Sequence, residues 1–226
     1  MKKKKLVLST NIPLLMGEEK SQPKMLKDCE FPFMKSRPKF SKEAIWERVT
    51  NNQFTDISVC SGILNLMKVA VVIPSWSDFV IKLYPDGEWE WYSPLQDFCI
   101  ESHGSDGEGQ FNGFKKGYIN LKFINPWRYA GKDTTAFFLM QPWLHEENRF
   151  EVVEGMGVSK YSTELNINVF FKIPKKEKLV YIKEGEPLAY YIPYMSEIRE
   201  VELINKDLGE FAGRNSFANW AKYLVR

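Results

Sequence analysis

The 226-residue sequence is poor in the residues that most enzymes use to move protons and electrons. It holds two histidines and three cysteines, and Cys29, Cys60 and Cys99 lie far apart with no C-x-x-C pair. An odd, dispersed set of thiols argues against a disulfide framework or a structural zinc site and fits a reducing cytoplasm. There is no G-x-S-x-G elbow, no H-E-x-x-H, no phosphate-cradling G-x-x-x-x-G-K-[ST], and no G-x-G-x-x-G after a strand. Charge of one sign is also missing: 31 Lys and Arg face 29 Asp and Glu, a formal net charge of +2. Nothing draws the whole molecule to a phosphate backbone, so a nucleic-acid partner is disfavoured. No apolar run reaches the ~18 residues of a membrane-spanning helix, and no membrane partner is expected. The start, "MKKKKLVLSTNIPLLM", has the charged head of a secretory signal, but Ser9, Thr10, Asn11 and Pro13 break its apolar run and no small-x-small cleavage site follows. It reads as a solvated lysine run leading into a short first strand.

Aromatic residues are abundant: 16 Phe, 10 Tyr and 7 Trp. They fit a pleated, half-buried surface and point to strands. Residues 1–55 are irregular and rich in Pro and Lys, with Ser41 as the N-cap of a short helix through Ile45, Trp46 and Val49. This arm is expected to lie over the main domain. From residue 56 to 204 the texture is that of an antiparallel sandwich or barrel, with short strands and turn signals about every ten residues. Pro85-Asp86-Gly87 is turn chemistry, and beyond it Trp89 and Trp91 alternate with Glu88 and Glu90. Such a strand has one apolar face, which reads as core or interface, with a stacking platform for bases or sugars as the alternative. "ELNINVFFKI" places Leu165, Ile167, Val169 and Phe171 on one face and Asn166, Asn168 and Phe170 on the other. In "PLAYYIPY", Leu188, Tyr190 and Ile192 share one side, and Ala189 and Tyr191 the other. Residues 205–226 switch to helical period, with Phe217, Trp220, Tyr223 and Leu224 on one stripe that needs a partner surface.

Two places hold metal-ligand residue types without the spacing a site needs. Asp106 and Glu108 sit in a Gly-rich stretch with no ordered series of carboxylates, which reads as a solvated connection. His145 stands in "QPWLHEENRF" beside Glu146 and Glu147, but ligands on one short turn do not readily surround an ion, so a surface turn is the expectation. No metal, cofactor or catalytic residue is assigned.

The strings "IPSWSDFVIKLYPDGEWEW", "LKFINPWRYA" and "EGMGVSKYSTELNINVFFKIPKKEKLVYIKEGEPLAYYIPY" resemble a family of uncharacterised proteins encoded mostly by large tailed phages, including those of marine cyanobacteria. The landmarks are Trp76, Trp127, Gly185, Pro187 and Pro193, and the resemblance runs from about residue 57 to 195. More distantly, "GMGVSKYS" and "IKEGEPLAYYIP" resemble paired segments of the dUTPase and dCTP deaminase superfamily, β-clip proteins that are usually trimers. That likeness implies a carboxylate near residues 158–160, where this chain has Val158, Ser159 and Lys160. None of these is a general base without an unusual pKa shift, and the superfamily's P-R-S-G motif is absent.

The expectation is therefore a mainly β protein with a β-clip-like sandwich or barrel, an N-terminal arm and a C-terminal helix. It acts without catalysis, as a phage-type scaffold in the host cytoplasm or the virion. Its partners would be another protein or a virion surface, and copies of itself, with a trimer as one option. Trp89, Trp91, Phe217 and Trp220 are the interface candidates. The alternative is a nucleotide or other small-molecule binder, or a degenerate dUTPase-like enzyme, using Trp127 for a base, Arg128 for phosphate and Tyr161 for stacking.

Overall fold

The computed structural model describes residues 4–31, 60–95, 100–102, 115–131, 135–145, 147–159, 163–194 and 198–205. The helix expected from Ser41, the C-terminal helix with Phe217 and Trp220, and Tyr161 lie outside the described residues.

Short alternating segments become short strands. They are β1 (Lys4–Thr10), β2 (Lys24–Met25), β3 (Val71–Pro74), β4 (Phe79–Leu83), β5 (Trp89–Tyr92), β6 (Ile100–Ser102), β7 (Tyr118–Phe123) and β8 (Arg128–Tyr129). There follow β9 (Ala136–Met140), β10 (Glu151–Val152), β11 (Gly155–Val158), β12 (Ile167–Lys172), β13 (Lys178–Ile182), β14 (Pro187–Tyr194) and β15 (Ile198–Asn205). The helices α1 (Pro13–Gly17) and α2 (Ser61–Val69) are small additions. The protein is mainly β, with its strands in several antiparallel sheets, as the sequence pattern leads one to expect.

The strands form a five-stranded sheet in the order β11-β9-β14-β3-β2, a four-stranded sheet β10-β12-β7-β6, and two three-stranded sheets, β15-β1-β8 and β13-β4-β5. All four contribute to one large core. Leu6 and Leu8 of β1, Ile81 of β4, Phe123 of β7, Ile167 and Phe171 of β12, and Val180 of β13 are all buried in it. Leu165, Ile167, Val169 and Phe171 share that core as their period-two spacing dictates. A smaller cluster lies on the other face of the five-stranded sheet, where Leu26, Phe31 and Met67 cover Val72 and Tyr190.

Three features differ from the sequence reading. First, β1 pairs in parallel with β15, Lys5 through Thr10 facing Glu200 through Asn205, so one pair of an otherwise antiparallel set is parallel. Residues 4–10, expected in an arm, thus supply the central strand of a sheet. Second, Met67 and Lys68, whose apolar surroundings suggest the start of a strand, end α2 instead, and the strand starts at Val71. Third, the ladder between β14 and β3 shifts register between Pro187 and Ala189. This irregularity turns Leu188 into the large core together with Ala189 and Tyr191, whereas Tyr190 faces the small cluster.

Because Leu8 is fully buried, Leu8→Ala should cost about 2–5 kcal/mol in a denaturant titration, whereas Leu14→Ala, on exposed α1, should stay within ~0.5 kcal/mol. Equal, small effects would mean that β1 is not built into the core.

Candidate functional site

The "NPW" motif forms a structural knot. The Asn125 side chain accepts from the Trp127 backbone N–H at 3.0 Å and donates to the Leu165 carbonyl at 2.9 Å. The Trp127 ring is fully buried, and its Nε1 donates to the Ser21 carbonyl at 3.2 Å. A base has no free face of Trp127 to stack on. Arg128 lies on β8 with its Nη2 3.5 Å from Glu164, so its guanidinium already has a carboxylate partner. Of the three nucleotide candidates, Trp127 is core, Arg128 is ion-paired, and Tyr161 lies outside the described residues.

The hairpin tryptophans also face inward. β4 pairs with β5 so that Ile81 stands opposite Trp91 and Leu83 opposite Trp89, and both indoles pack half-buried against the large core. The period-two alternation holds, but the exposed aromatic of this strand is Tyr92.

The segment "YIKEGEPLAYYIPY" is a corner of the fold. Its strands belong to different sheets, β13 beside β4 and β14 beside β9 and β3. Gly185 takes φ of 85°, a left-handed conformation that favours glycine, and a Cβ there would sit 3.1 Å from the Lys20 Cβ. Its N–H donates to the Ser75 carbonyl at 2.8 Å, while Ser75 N–H donates to the Glu186 carbonyl at 2.7 Å. The Ser21 hydroxyl donates to the Glu184 carboxylate. Glu186 accepts from Arg149 Nη1 at 2.6 Å, and the same guanidinium binds Glu147 and the Tyr181 carbonyl. These charge-assisted bonds raise the Arg149 pKa, with Glu147 as the largest cause. They also engage Glu147 of the "HEEN" turn.

His145 is half-buried rather than fully exposed on its turn. Its ring lies 4.7 Å from that of Phe31, and its Nδ1 is 2.6 Å from the Tyr190 hydroxyl. Burial, helped by Lys24, lowers its pKa to about 4. Burial pushes the Cys29 thiol up to about 11 and raises the Tyr190 phenol as well. At neutral pH the phenol and thiol keep their protons and the imidazole is uncharged. A phenol donating to an unprotonated Nδ1 satisfies both groups, and no thiolate is generated. Among the described residues, no group of three or more His, Cys, Asp and Glu side chains is placed to hold a metal ion.

What the structure leaves open is a surface. On the outer face of the five-stranded sheet, α2, Leu26 and Phe31 cover the β3 and Tyr190 part, whereas among the described residues nothing covers the exposed side chains of the β9–β11 part. There Phe138 stands opposite Met156 on one side and Ile192 on the other, and its ring is 6.1 Å from that of Tyr194. Phe138, Met156 and Tyr194 are 43, 60 and 54% exposed. β11 is the edge of the sheet and pairs only with β9 among the described residues. Its sequence, Gly-Met-Gly-Val, has no charge, proline or bulge to guard its free main-chain groups. Elsewhere, a groove of about 530 Å³ is lined by Lys24, Lys27, Asp28 and Glu200 with Val201 and Leu203. Its mixed charge does not single out a polyphosphate.

Fold and surface together define a mainly β protein of packed sheets with exposed apolar side chains at one sheet edge. Comparison with protein-family models, with curated proteins and with solved structures finds no match to this chain. No helix among the described residues is long and apolar enough to cross a membrane.

The His145 pocket predicts a pH dependence. In the unfolded chain the imidazole binds a proton near 6.5, but in the fold only near 4, so between these values the unfolded state holds more protons. The stability from this group is fully present above about 6.5 and is lost as pH falls toward 4. Urea midpoints from pH 7 to 5 should therefore fall for the wild type and change less for His145→Gln. Equal slopes would show that the imidazole is already protonated or exposed in the fold.

Proposed function

We propose that this chain is a non-enzymatic β scaffold of the phage type, acting by contact with copies of itself and with a protein or virion surface. One observation carries this reading: the bare Phe138–Met156–Tyr194 surface beside the unguarded β11 edge. Contiguous exposed apolar side chains mark interaction surfaces, and an unpaired edge strand adds main-chain hydrogen bonding to the attraction. In the His145 cluster the phenol and thiol keep their protons at neutral pH, so it holds no activated nucleophile. The family resemblance suggests the phage setting, in the host cytoplasm or the virion, and the more distant β-clip resemblance makes a trimer one form of the assembly. The nucleotide reading gains nothing from Trp127, which is buried, or Arg128, which is paired.

Sedimentation velocity at micromolar concentration tests the contact surface. The wild type should sediment as an oligomer, and the Phe138→Ser, Met156→Ser, Tyr194→Ser triple variant as a folded monomer. A wild-type monomer, or a triple variant that still assembles, would refute the assignment of this face. Mass spectrometry of purified particles then separates a virion component from an intracellular one.

A further inference from the structure

Two sheet edges run side by side where the groove of about 530 Å³ opens. β15 is the outer strand of the β15-β1-β8 sheet and pairs only with β1 among the described residues. β2 ends the five-stranded sheet, pairs there only with β3, and touches β15 without a ladder between them. Residues 22–25 line one wall of the groove, and Glu200, Val201 and Leu203 line the other. Neighbouring residues of a strand point to opposite faces. A cavity that meets both Lys24 and Met25, and both Glu200 and Val201, therefore runs along the strand edges, and main chain forms much of its walls. Met25, Val201 and Leu203 pack on the large core and make the inner side, whereas Lys24 and Glu200 are exposed.

We propose that this groove binds an extended peptide of a partner protein, which adds as a strand to the outer edge of β15. In a parallel pair such as β1–β15, alternate residues of the outer strand turn their N–H and C=O away from the partner. That row repeats at the spacing of a strand, and another extended main chain is the ligand that pairs with it. A sugar or a nucleotide has no such repeat. The groove is distinct from the β11 surface, which lies at the opposite end of the five-stranded sheet.

The walls also define the peptide. From Glu200 to Leu203 the edge is about 13 Å long, the reach of a short strand. The volume is that of a small-ligand cleft, which holds a few extended residues and no globular domain. Inward side chains of the added strand meet Met25, Val201 and Leu203 and are apolar, and outward ones are polar. Glu200 and Glu202 are exposed on β15 and share the single ammonium of Lys5, at 3.7 and 3.3 Å. An added strand sets its outward residues opposite these carboxylates, where basic side chains are favoured. The far wall carries Lys24, Lys27 and Asp28, a mixed set in which Lys27 is already engaged. The occupant is thus a strand that alternates apolar with basic residues.

An immobilised array of hexapeptides that alternate Val or Leu with Lys, Glu or Ser tests this with labelled protein. The wild type should bind the Lys-alternating members best. Methylating one alternate set of amide nitrogens in a bound peptide should weaken binding about tenfold or more, and methylating the other set much less. Glu200→Lys should weaken binding of the Lys-alternating peptides about fivefold and favour the Glu-alternating ones. Its melting temperature should stay close to that of the wild type, because the Glu200 side chain is 51% exposed. A wild type that sediments as a monomer should still bind these peptides, which separates the groove from the β11 surface. No peptide bound, equal loss from both methylated sets, or a charge preference unmoved by Glu200→Lys would overturn the proposal.

Discussion

Arg149 sets its guanidinium between Glu147 and Glu186 while donating to the Tyr181 carbonyl, and these groups belong to the segment after β9, to the turn between β13 and β14, and to β13 itself. That turn is where the chain leaves the β4 sheet and enters the five-stranded sheet. Ser21, Ser75 and Asp78 bond to the same few residues, so the N-terminal segment and the β3–β4 link are tied to the corner as well. The Glu147 side chain is almost wholly buried, and a carboxylate in that position depends on its cation. The angle between the two sheets, and so the placement of their exposed side chains, rests on this pin and on the left-handed backbone at Gly185.

Several interior polar groups are occupied in holding the fold. Asn125 bridges the Trp127 turn to Leu165, Tyr191 donates its hydroxyl to the Asn166 carbonyl at 2.8 Å, and His145 is bound to Tyr190. Side chains with unspent contact capacity are instead on the outside, as Phe138, Met156 and Tyr194 on one sheet and Tyr92 and Tyr181 on another.

Local alternation makes much of the sheet content readable. The faces of β12 and the Asp86-Gly87 turn follow from period two and turn chemistry, which are properties of a few adjacent residues. The parallel β1–β15 pair is not readable, because nearly two hundred residues separate its strands and no turn announces it. α2 escapes notice because "ILNLMKVAVVIP" runs apolar through a helix and into a strand, and Cys60 provides no side-chain cap to mark the start. Leu188 changes sides because a register shift is invisible to strict alternation. Trp127, Trp89 and Trp91 stand out as candidates for contact because a large aromatic looks the same in sequence whether it faces solvent or core. Exposure at Phe138, Met156 and Tyr194 depends on where α2 stops covering the sheet, which is a tertiary fact. Their shared parity with the neighbouring strands, once the register is known, is the signal that finds them.

Hydrogen–deuterium exchange followed by mass spectrometry at low and high protein concentration bears most directly on the claim that this molecule works through its bare β9–β11 edge. The account predicts that amides of 155–158 gain protection as concentration rises, while peptides around His145 and Tyr190 do not change. Concentration-independent exchange at 155–158, or protection appearing around His145 instead, would contradict it.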